Sequence, residues 1–168
     1  MKKYLKITGV LFFLLIVAYF LSLDFSQIYL TPEGALKQFY SQNDVAEDMI
    51  MDPLILAGEK VVPLVIQDIK NKNMPRRRYA IGFLGNGSYQ IALPVLTEIL
   101  DDAKEKPYFR GDALIAIYKI NKNIGVELAK KYQTVDNHLG LMSLEVLSDS
   151  QYANWRRSYS DAKNRVHY

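Results

Sequence analysis

A pattern that occurs twice in the middle of the chain limits its fold more than any other sequence feature. An apolar segment with proline in second position is followed by a segment of the form Arg-x-x-Ala-apolar-x-x-apolar. The two segments begin at Val62 and Arg77 in the first copy, and at Leu93 and Arg110 in the second. Proline favours the first turn of a helix, and apolar residues at three- and four-residue spacing mark a helical face. Each copy is therefore predicted to form a pair of helices.

The two copies are in register. Their prolines are 31 residues apart and their arginines 33, which fits two extra residues in the 101–107 loop. A third, weaker copy has an apolar helix at 124–132 and the small-apolar-x-x-apolar signature at 143–147, without the proline or the arginine. Ahead of the first copy, a helix is predicted at 32–40 with Thr31 as its cap, and a short turn is predicted to start at Asp52-Pro53 and end at Ala57-Gly58.

Proline near the start of the first helix and Arg-x-x-Ala-apolar-x-x-Leu-Gly in the second resemble the HEAT or HEAT-like repeat of bacterial proteins. The resemblance covers about residues 52–118 and extends to about 148. It implies an all-α fold, a short solenoid of stacked antiparallel helix pairs with one concave surface. Partner binding is the usual role in the family, although some relatives act as enzyme accessories or lyases.

The N-terminus is predicted to be a membrane anchor. Residues 7–23 carry no charge and span about 26 Å as a helix, close to the thickness of a hydrocarbon core. Three lysines precede them and Asp24 follows, so the positive-inside rule keeps the N-terminus in the cytoplasm and exports the rest. A cleaved signal peptide is the alternative, but the candidate cleavage positions hold bulky aromatic residues.

These features divide the chain into four parts. Residues 1–24 form the lysines and a signal-anchor in the inner membrane, and 25–51 a linker and leading helix. Residues 52–148 hold the repeats, and 149–168 a C-terminal capping helix. From residue 24 onward the chain is predicted to be periplasmic or otherwise extracytoplasmic.

Composition argues against several classes of function. Beyond the three leading lysines, 18 basic residues balance 18 acidic ones, whereas nucleic-acid binders carry a basic excess. There is no cysteine, and neither histidine has metal-ligand spacing, so no metal site is expected. No serine lies in a nucleophile elbow. We therefore expect no cofactor and no catalytic activity.

Arginines are the strongest candidates for a partner-binding site. Arg76, Arg77, Arg78 and Arg110 are predicted to form a ridge that grips carboxylates or phosphates through forked hydrogen bonds. The alternative, favoured for Arg77 and Arg110, is that each pairs with an acid in a neighbouring repeat. For Arg76 and Arg78 both interpretations stay open.

The C-terminal stretch is a second candidate. Tyr152, Trp155 and Tyr159 have helical spacing, with Arg156 and Arg157 on other faces. The favoured interpretation is a capping helix over the last repeat. The alternative is an aromatic and basic patch, centred on Trp155, Arg156 and Arg157, that docks on a partner or an anionic membrane.

One acidic series was also considered. Asp44, Asp48 and Asp52 have four-residue spacing, which suits either a solvated helical face or a cation site. The solvated face is the favoured prediction, because no glycine-bearing calcium loop accompanies the series.

Three functional hypotheses follow. The leading one is a membrane-tethered scaffold or adaptor that binds a protein or peptide partner in the cell envelope. The second is an inhibitor or immunity-type protein that neutralises a toxin or enzyme at the membrane. The third, an accessory subunit of a lyase-like enzyme, depends on family analogy alone.

Overall fold

A computed structural model describes residues 31–164, and the regular elements within that range are all helices, so the all-α prediction is confirmed for this part of the chain. Three short 3₁₀ turns lie at Glu47–Met49, Gly58–Val61 and Gln90–Ala92. The α-helices are α1 (Pro32–Ser41), α2 (Asp52–Ala57), α3 (Val62–Asp68), α4 (Arg77–Asn86), α5 (Leu93–Asp101), α6 (Pro107–Ile120), α7 (Lys122–Tyr132), α8 (His138–Leu147), α9 (Gln151–Asn154) and α10 (Tyr159–Lys163).

The predicted anchor, residues 1–24, lies outside the described residues. Between residues 31 and 164, no helix has the length and apolar character needed to cross a membrane.

Local sequence signals account for where the helices begin. The Thr31 hydroxyl accepts a hydrogen bond of 3.0 Å from the backbone N–H of Gly34, as the predicted cap of α1 should. Proline occupies the first turn of α2, α3, α5 and α6 as well as of α1. Proline at these positions removes no helical hydrogen bond, because the first-turn N–H groups have no partner within the helix.

The second helices of the three copies lie side by side. Helix α4 packs against α6 and α6 against α8, while α5 contacts α6, and α7 contacts both α6 and α8. Helix α6 is the centre of this arrangement, since nine of its fourteen residues are buried. Its burial explains why its apolar residues are not confined to one face.

Helices α4 and α6 approach each other most closely at a glycine. A Cβ atom added to Gly85 would lie 2.6 Å from the Cα of Ala116 and 2.9 Å from its Cβ. The alanines of the Arg-x-x-Ala pattern, Ala80 and Ala113, are both fully buried. This tight approach, however, lies about one turn further along α4, where only glycine leaves room for the backbone of α6.

The C-terminal stretch differs from the prediction of one capping helix over 149–168. It forms two short helices, α9 and α10, separated by residues 155–158, while residues 165–168 lie outside the described range. Ser158 and Asp161 form a capping box that starts α10 anew. This C-terminal strap, residues 151–164, contacts α6 and α8 through α9 and reaches back to α2 through α10.

We expect Gly85→Ala to lower the free energy of unfolding by about 1–3 kcal/mol, because the new methyl group must push two packed helices apart. Gly82→Ala is the matched control, since a Cβ there meets only the flexible end of Met51 at 3.9 Å. It should stabilise the helix by up to about 1 kcal/mol, as alanine is the better helix former. Urea denaturation of the full-length chain in mild detergent, followed by circular dichroism, measures both. Effects of the same sign would contradict this close packing.

Candidate functional site

A cleft of about 330 Å³ lies on the row of second helices, between α4, α6 and the C-terminal strap. Four of its residues share one face of α6, because they follow three- and four-residue spacing. The lining residues are Glu47, Asp48, Met51, Arg78, Tyr79, Gly82, Asp112, Ile115, Ala116, Lys119, Tyr152 and Trp155.

The lining is aromatic and apolar in part. Ile115, Ala116, Gly82 and Met51 contribute small or apolar groups from α6, α4 and the start of α2. Tyr152 and Trp155 belong to the strap and are 48% and 44% exposed. The lining therefore presents apolar surface and aromatic rings to solvent.

One charged cluster of the cleft centres on Asp112, a carboxylate buried in the apolar helix α6. The Nε of Arg78 lies 3.2 Å from Oδ2 of Asp112, and Nη1 of Arg78 lies 3.9 Å from Oε1 of Glu47. Burial raises the pKa of Asp112 from 3.8 to about 6, although the positive charge of Arg78 opposes that shift. Tyr79 donates a hydrogen bond of 3.0 Å to Glu47, which also links the 3₁₀ turn to α4.

A second charged position in the cleft is Lys119, two helical turns from Asp112 along α6. Its side chain is half-buried, and its Nζ lies 5.9 Å from the centroid of the Trp155 ring. Burial, with a smaller contribution from Arg156, lowers the pKa of Lys119 to about 8. Within residues 31–164, no carboxylate lies within ion-pair distance of this ammonium group.

Arg77 and Arg110 have equivalent positions and make equivalent contacts. The Nε of Arg77 donates to the carbonyl of Ile69 at 2.6 Å, and the Nε of Arg110 donates to that of Leu100 at 2.7 Å. Each guanidinium also lies against an aromatic ring, 4.9 Å from the centroid of Phe109 and 5.4 Å from that of Tyr132.

Arg77 also pairs with an acid of the neighbouring copy, as the sequence predicts for it. Its Nη1 lies 2.6 Å from Oε2 of Glu105, and both side chains are almost fully buried. Glu105 lies in the loop of the next copy, so the pair joins neighbouring copies. For Arg110, the ring of Tyr132 takes the place that Phe109 has beside Arg77, and no acid among residues 31–164 forms an ion pair with it.

Arg76 and Arg156 bind the ends of helices. Arg76 donates to the carbonyls of Phe39 and Gln42 at the end of α1, and has a left-handed φ of 57°. Arg156 donates to the carbonyls of Gly85 and Asn86 in α4, at 2.9 and 2.7 Å, and to that of Lys119 in α6, at 2.6 Å. These carbonyls lie in or directly after the last turns of their helices, and a cation suits this end of the helix dipole.

The contacts of Arg157 show that the predicted solvated acidic face is wrong. Asp52 is fully buried rather than solvated, and the guanidinium of Arg157 binds both of its carboxylate oxygens. The same arginine donates to Oδ2 of Asp48 at 2.9 Å. The acids at 48 and 52 therefore hold the strap, whereas Asp44 lies apart in a left-handed turn with φ 55°.

Of the seven residues singled out from the sequence, the cleft brings together Arg78 and Trp155. The other five contact carbonyls or acids inside the fold. Sequence reasoning missed Asp112 and Lys119, although a signal was present: between positions 112 and 119 they are the charged residues of an otherwise apolar stretch of α6. Their spacing of seven places them on one helical face.

The chain as a whole resembles no known protein closely enough to assign a family. Comparison with protein-family models, with curated proteins and with solved structures gave no match. Over residues 31–164, no group of three or more metal-ligating side chains is close enough to hold an ion.

We expect Arg157→Met to lower the free energy of unfolding by about 3–5 kcal/mol, because it leaves the buried carboxylate of Asp52 without its guanidinium. Adding Asp52→Asn should recover part of that loss, as the buried charge is then removed. Lys72→Met is the control, since the Lys72–Asp102 pair is exposed and such pairs contribute about 1 kcal/mol or less. A loss in Arg157→Met no greater than that of the control would contradict a structural role for the buried pair.

The pKa of Asp112 predicts how pH affects stability. Since the folded-state pKa of about 6 exceeds the ordinary value of 3.8, the folded chain holds this proton more tightly. The resulting stabilisation is complete below about pH 4 and is lost as pH rises through 6. Asp112→Asn removes this pH-dependent stabilisation. The free energy of unfolding of the variant, relative to that of the native protein, should therefore rise by up to about 3 kcal/mol between pH 4 and pH 7.5.

Urea denaturation at both pH values, beside Glu127→Gln, measures the Asp112 effect. Glu127 is an exposed carboxylate and reports the background of removing one surface charge. If the difference in the free energy of unfolding between Asp112→Asn and the native protein does not change with pH, the Asp112 carboxyl is not buried as described.

Proposed function

We propose that this chain is a membrane-tethered, HEAT-like helical-repeat scaffold that binds a protein or peptide partner in the cell envelope without catalysing a reaction. The uncharged segment at 7–23 and the lysines before it support the tether and its orientation. The repeated Pro and Arg-x-x-Ala pattern supports the repeat assignment, as do the matching contacts of Arg77 and Arg110.

The observation that carries the proposal is the cleft on the row of second helices. In a stack of helix pairs, this row is the expected concave, partner-binding side. Tyrosine, tryptophan and arginine are the residues most enriched in binding hot spots, and here Tyr152, Trp155 and Arg78 border one opening. The rings of Tyr152 and Trp155 are half-exposed, and burying more of their apolar surface against a partner would be favourable.

The surroundings of the cleft favour a preformed binding surface over a mobile one. Arg156 ties the strap to the ends of α4 and α6, and Arg157 ties it to Asp52. A surface held in its bound shape loses less conformational entropy on association, which favours affinity. The arginine contacts therefore support binding indirectly, through the positions of Tyr152 and Trp155.

The test is site-specific photocrosslinking of the full-length protein in its native membranes. A benzophenone amino acid at position 152 should yield a specific adduct, because Tyr152 lines the cleft. The same probe at Tyr108 is the matched control, since that tyrosine is 40% exposed but does not line the cleft. Adducts that are absent at 152, or identical from both positions, would contradict partner binding at this surface.

The identity of the adduct separates the three functional hypotheses. A component of an envelope assembly would support the adaptor. One toxin or enzyme whose activity falls on binding would favour the inhibitor, and a subunit of a working lyase-like enzyme would favour the accessory role. Retention of the full-length chain in the membrane pellet after alkaline extraction tests the tether itself.

A further inference from the structure

Lys119 is the charged residue of the cleft lining that has no ion-pair partner within residues 31–164. Each acid of the lining has a partner: Glu47 and Asp112 lie beside Arg78, and Asp48 accepts from Arg157. The ammonium of Lys119 lies near the face of the Trp155 ring and is attracted by Asp112 at longer range, but its Nζ forms no ion pair or hydrogen bond with any group of residues 31–164.

The surroundings of Lys119 make an anion a favourable occupant. Its side chain is half-buried, and the guanidinium of Arg156, which binds the Lys119 carbonyl, adds a second positive charge nearby. Removing an ammonium from water costs free energy unless an opposite charge compensates. A cation–π contact offsets less of that cost than a charge-assisted hydrogen bond to a carboxylate.

The rest of the cleft narrows the class of anion. Glu47, Asp48 and Asp112 contribute negative charge to the same lining, so a polyanion such as nucleic acid or a multiply charged phosphate would be repelled there. A single carboxylate carries one negative charge and meets less of that repulsion. The rings of Tyr152 and Trp155 and the side chain of Ile115 suit an apolar group next to the carboxylate.

The size of the cleft is consistent with a short segment. Its volume of about 330 Å³ is at the small end of ligand sites, which run from about 300 to 1,000 Å³. It therefore accommodates one or two residues rather than a folded protein surface. A chain terminus and an acidic side chain beside an apolar residue both meet this requirement.

We propose that the cleft binds a peptide carboxylate, with Lys119 as its counter-ion and Trp155 and Ile115 packed against the apolar residue beside it. This inference depends on the proposed partner-binding function and names the part of the partner that enters the cleft. Arg78 and Asp112 are paired with each other and so leave Lys119 as the attracting charge.

The protein has one tryptophan, Trp155, so its fluorescence reports on the cleft alone. Full-length protein in mild detergent is titrated with three peptides that contain no aromatic residue: acetyl-Ala-Ala-Leu with a free carboxylate, the same peptide as its amide, and acetyl-Ala-Glu-Leu-amide. We expect a saturable change in Trp155 fluorescence when a carboxylate peptide is added. The neutral amide should bind at least about tenfold more weakly. The two carboxylate peptides distinguish a chain terminus from an acidic side chain.

Lys119→Met keeps the length of the side chain but removes its charge, and should weaken carboxylate binding about tenfold or more. Lys119→Gln is a second variant in case methionine disturbs the packing. Lys131→Met removes an equal charge from an exposed position on α7 and should leave the affinity unchanged. Equal affinities for the amide and carboxylate peptides, no response to any peptide, or equal effects of the Lys119 and Lys131 variants would each overturn the proposal.

Failure of this inference is distinguishable from failure of the proposed function. If the adduct at position 152 forms equally well in the native protein and in Lys119→Met, a partner binds in the cleft but not through a carboxylate on Lys119. If the adduct is lost in Lys119→Met and kept in Lys131→Met, both proposals are supported together.

Discussion

The last carbonyl groups of a helix have no N–H donor within that helix, and in this chain arginine side chains supply many of the missing donors. The helices are short, between four and fourteen residues, so helix ends are numerous relative to the length of the chain. Arg76 serves α1, and Arg156 serves both α4 and α6. In the two copies, Arg77 and Arg110 bind the carbonyls of Ile69 and Leu100. Because each guanidinium joins one segment to another, the same contacts also set how the helices are arranged.

This use of arginine explains the chemistry of the cleft. A guanidinium bound to carbonyls or to a buried acid is not available to a ligand, so five of the six arginines within residues 31–164 are engaged inside the fold. The charges that remain in the cleft are Arg78, which lies beside Asp112 and Glu47, the acid Asp48, which Arg157 binds, and Lys119, which has no ion-pair partner within residues 31–164. The positive charge of the cleft that is not engaged in an ion pair is therefore that of Lys119 rather than that of the arginine run at 76–78.

Much of the fold could be predicted from the sequence, because its signals are local. Proline in the first turn, Thr31 as a cap and apolar spacing of three and four residues all act within one helix. The repeat pattern also predicted that Arg77 and Arg110 each pair with an acid of a neighbouring copy; Arg77 does so with Glu105, whereas Arg110 forms no ion pair within residues 31–164. The repeat family itself stays a prediction.

The strap and the cleft could not be predicted, because they depend on residues far apart in the chain. Tyr152, Trp155 and Tyr159 have helical spacing, yet the capping box at Ser158 interrupts the helix between them. The acid at position 52 looks like part of a solvated face until Arg157 is placed against it. Asp112 and Lys119 gave a local signal, but what surrounds them is set by the strap.

The contact between Arg157 and Asp52 spans 105 residues of chain, and this separation has a consequence for biosynthesis. Contacts between neighbouring helices can form while the chain is still being made, whereas this one must await the final segment. The wall of the cleft that holds Tyr152 and Trp155 is thus completed last. A nascent or prematurely terminated chain would have its helical layers but not this wall, and so would lack the surface that is proposed to bind a partner.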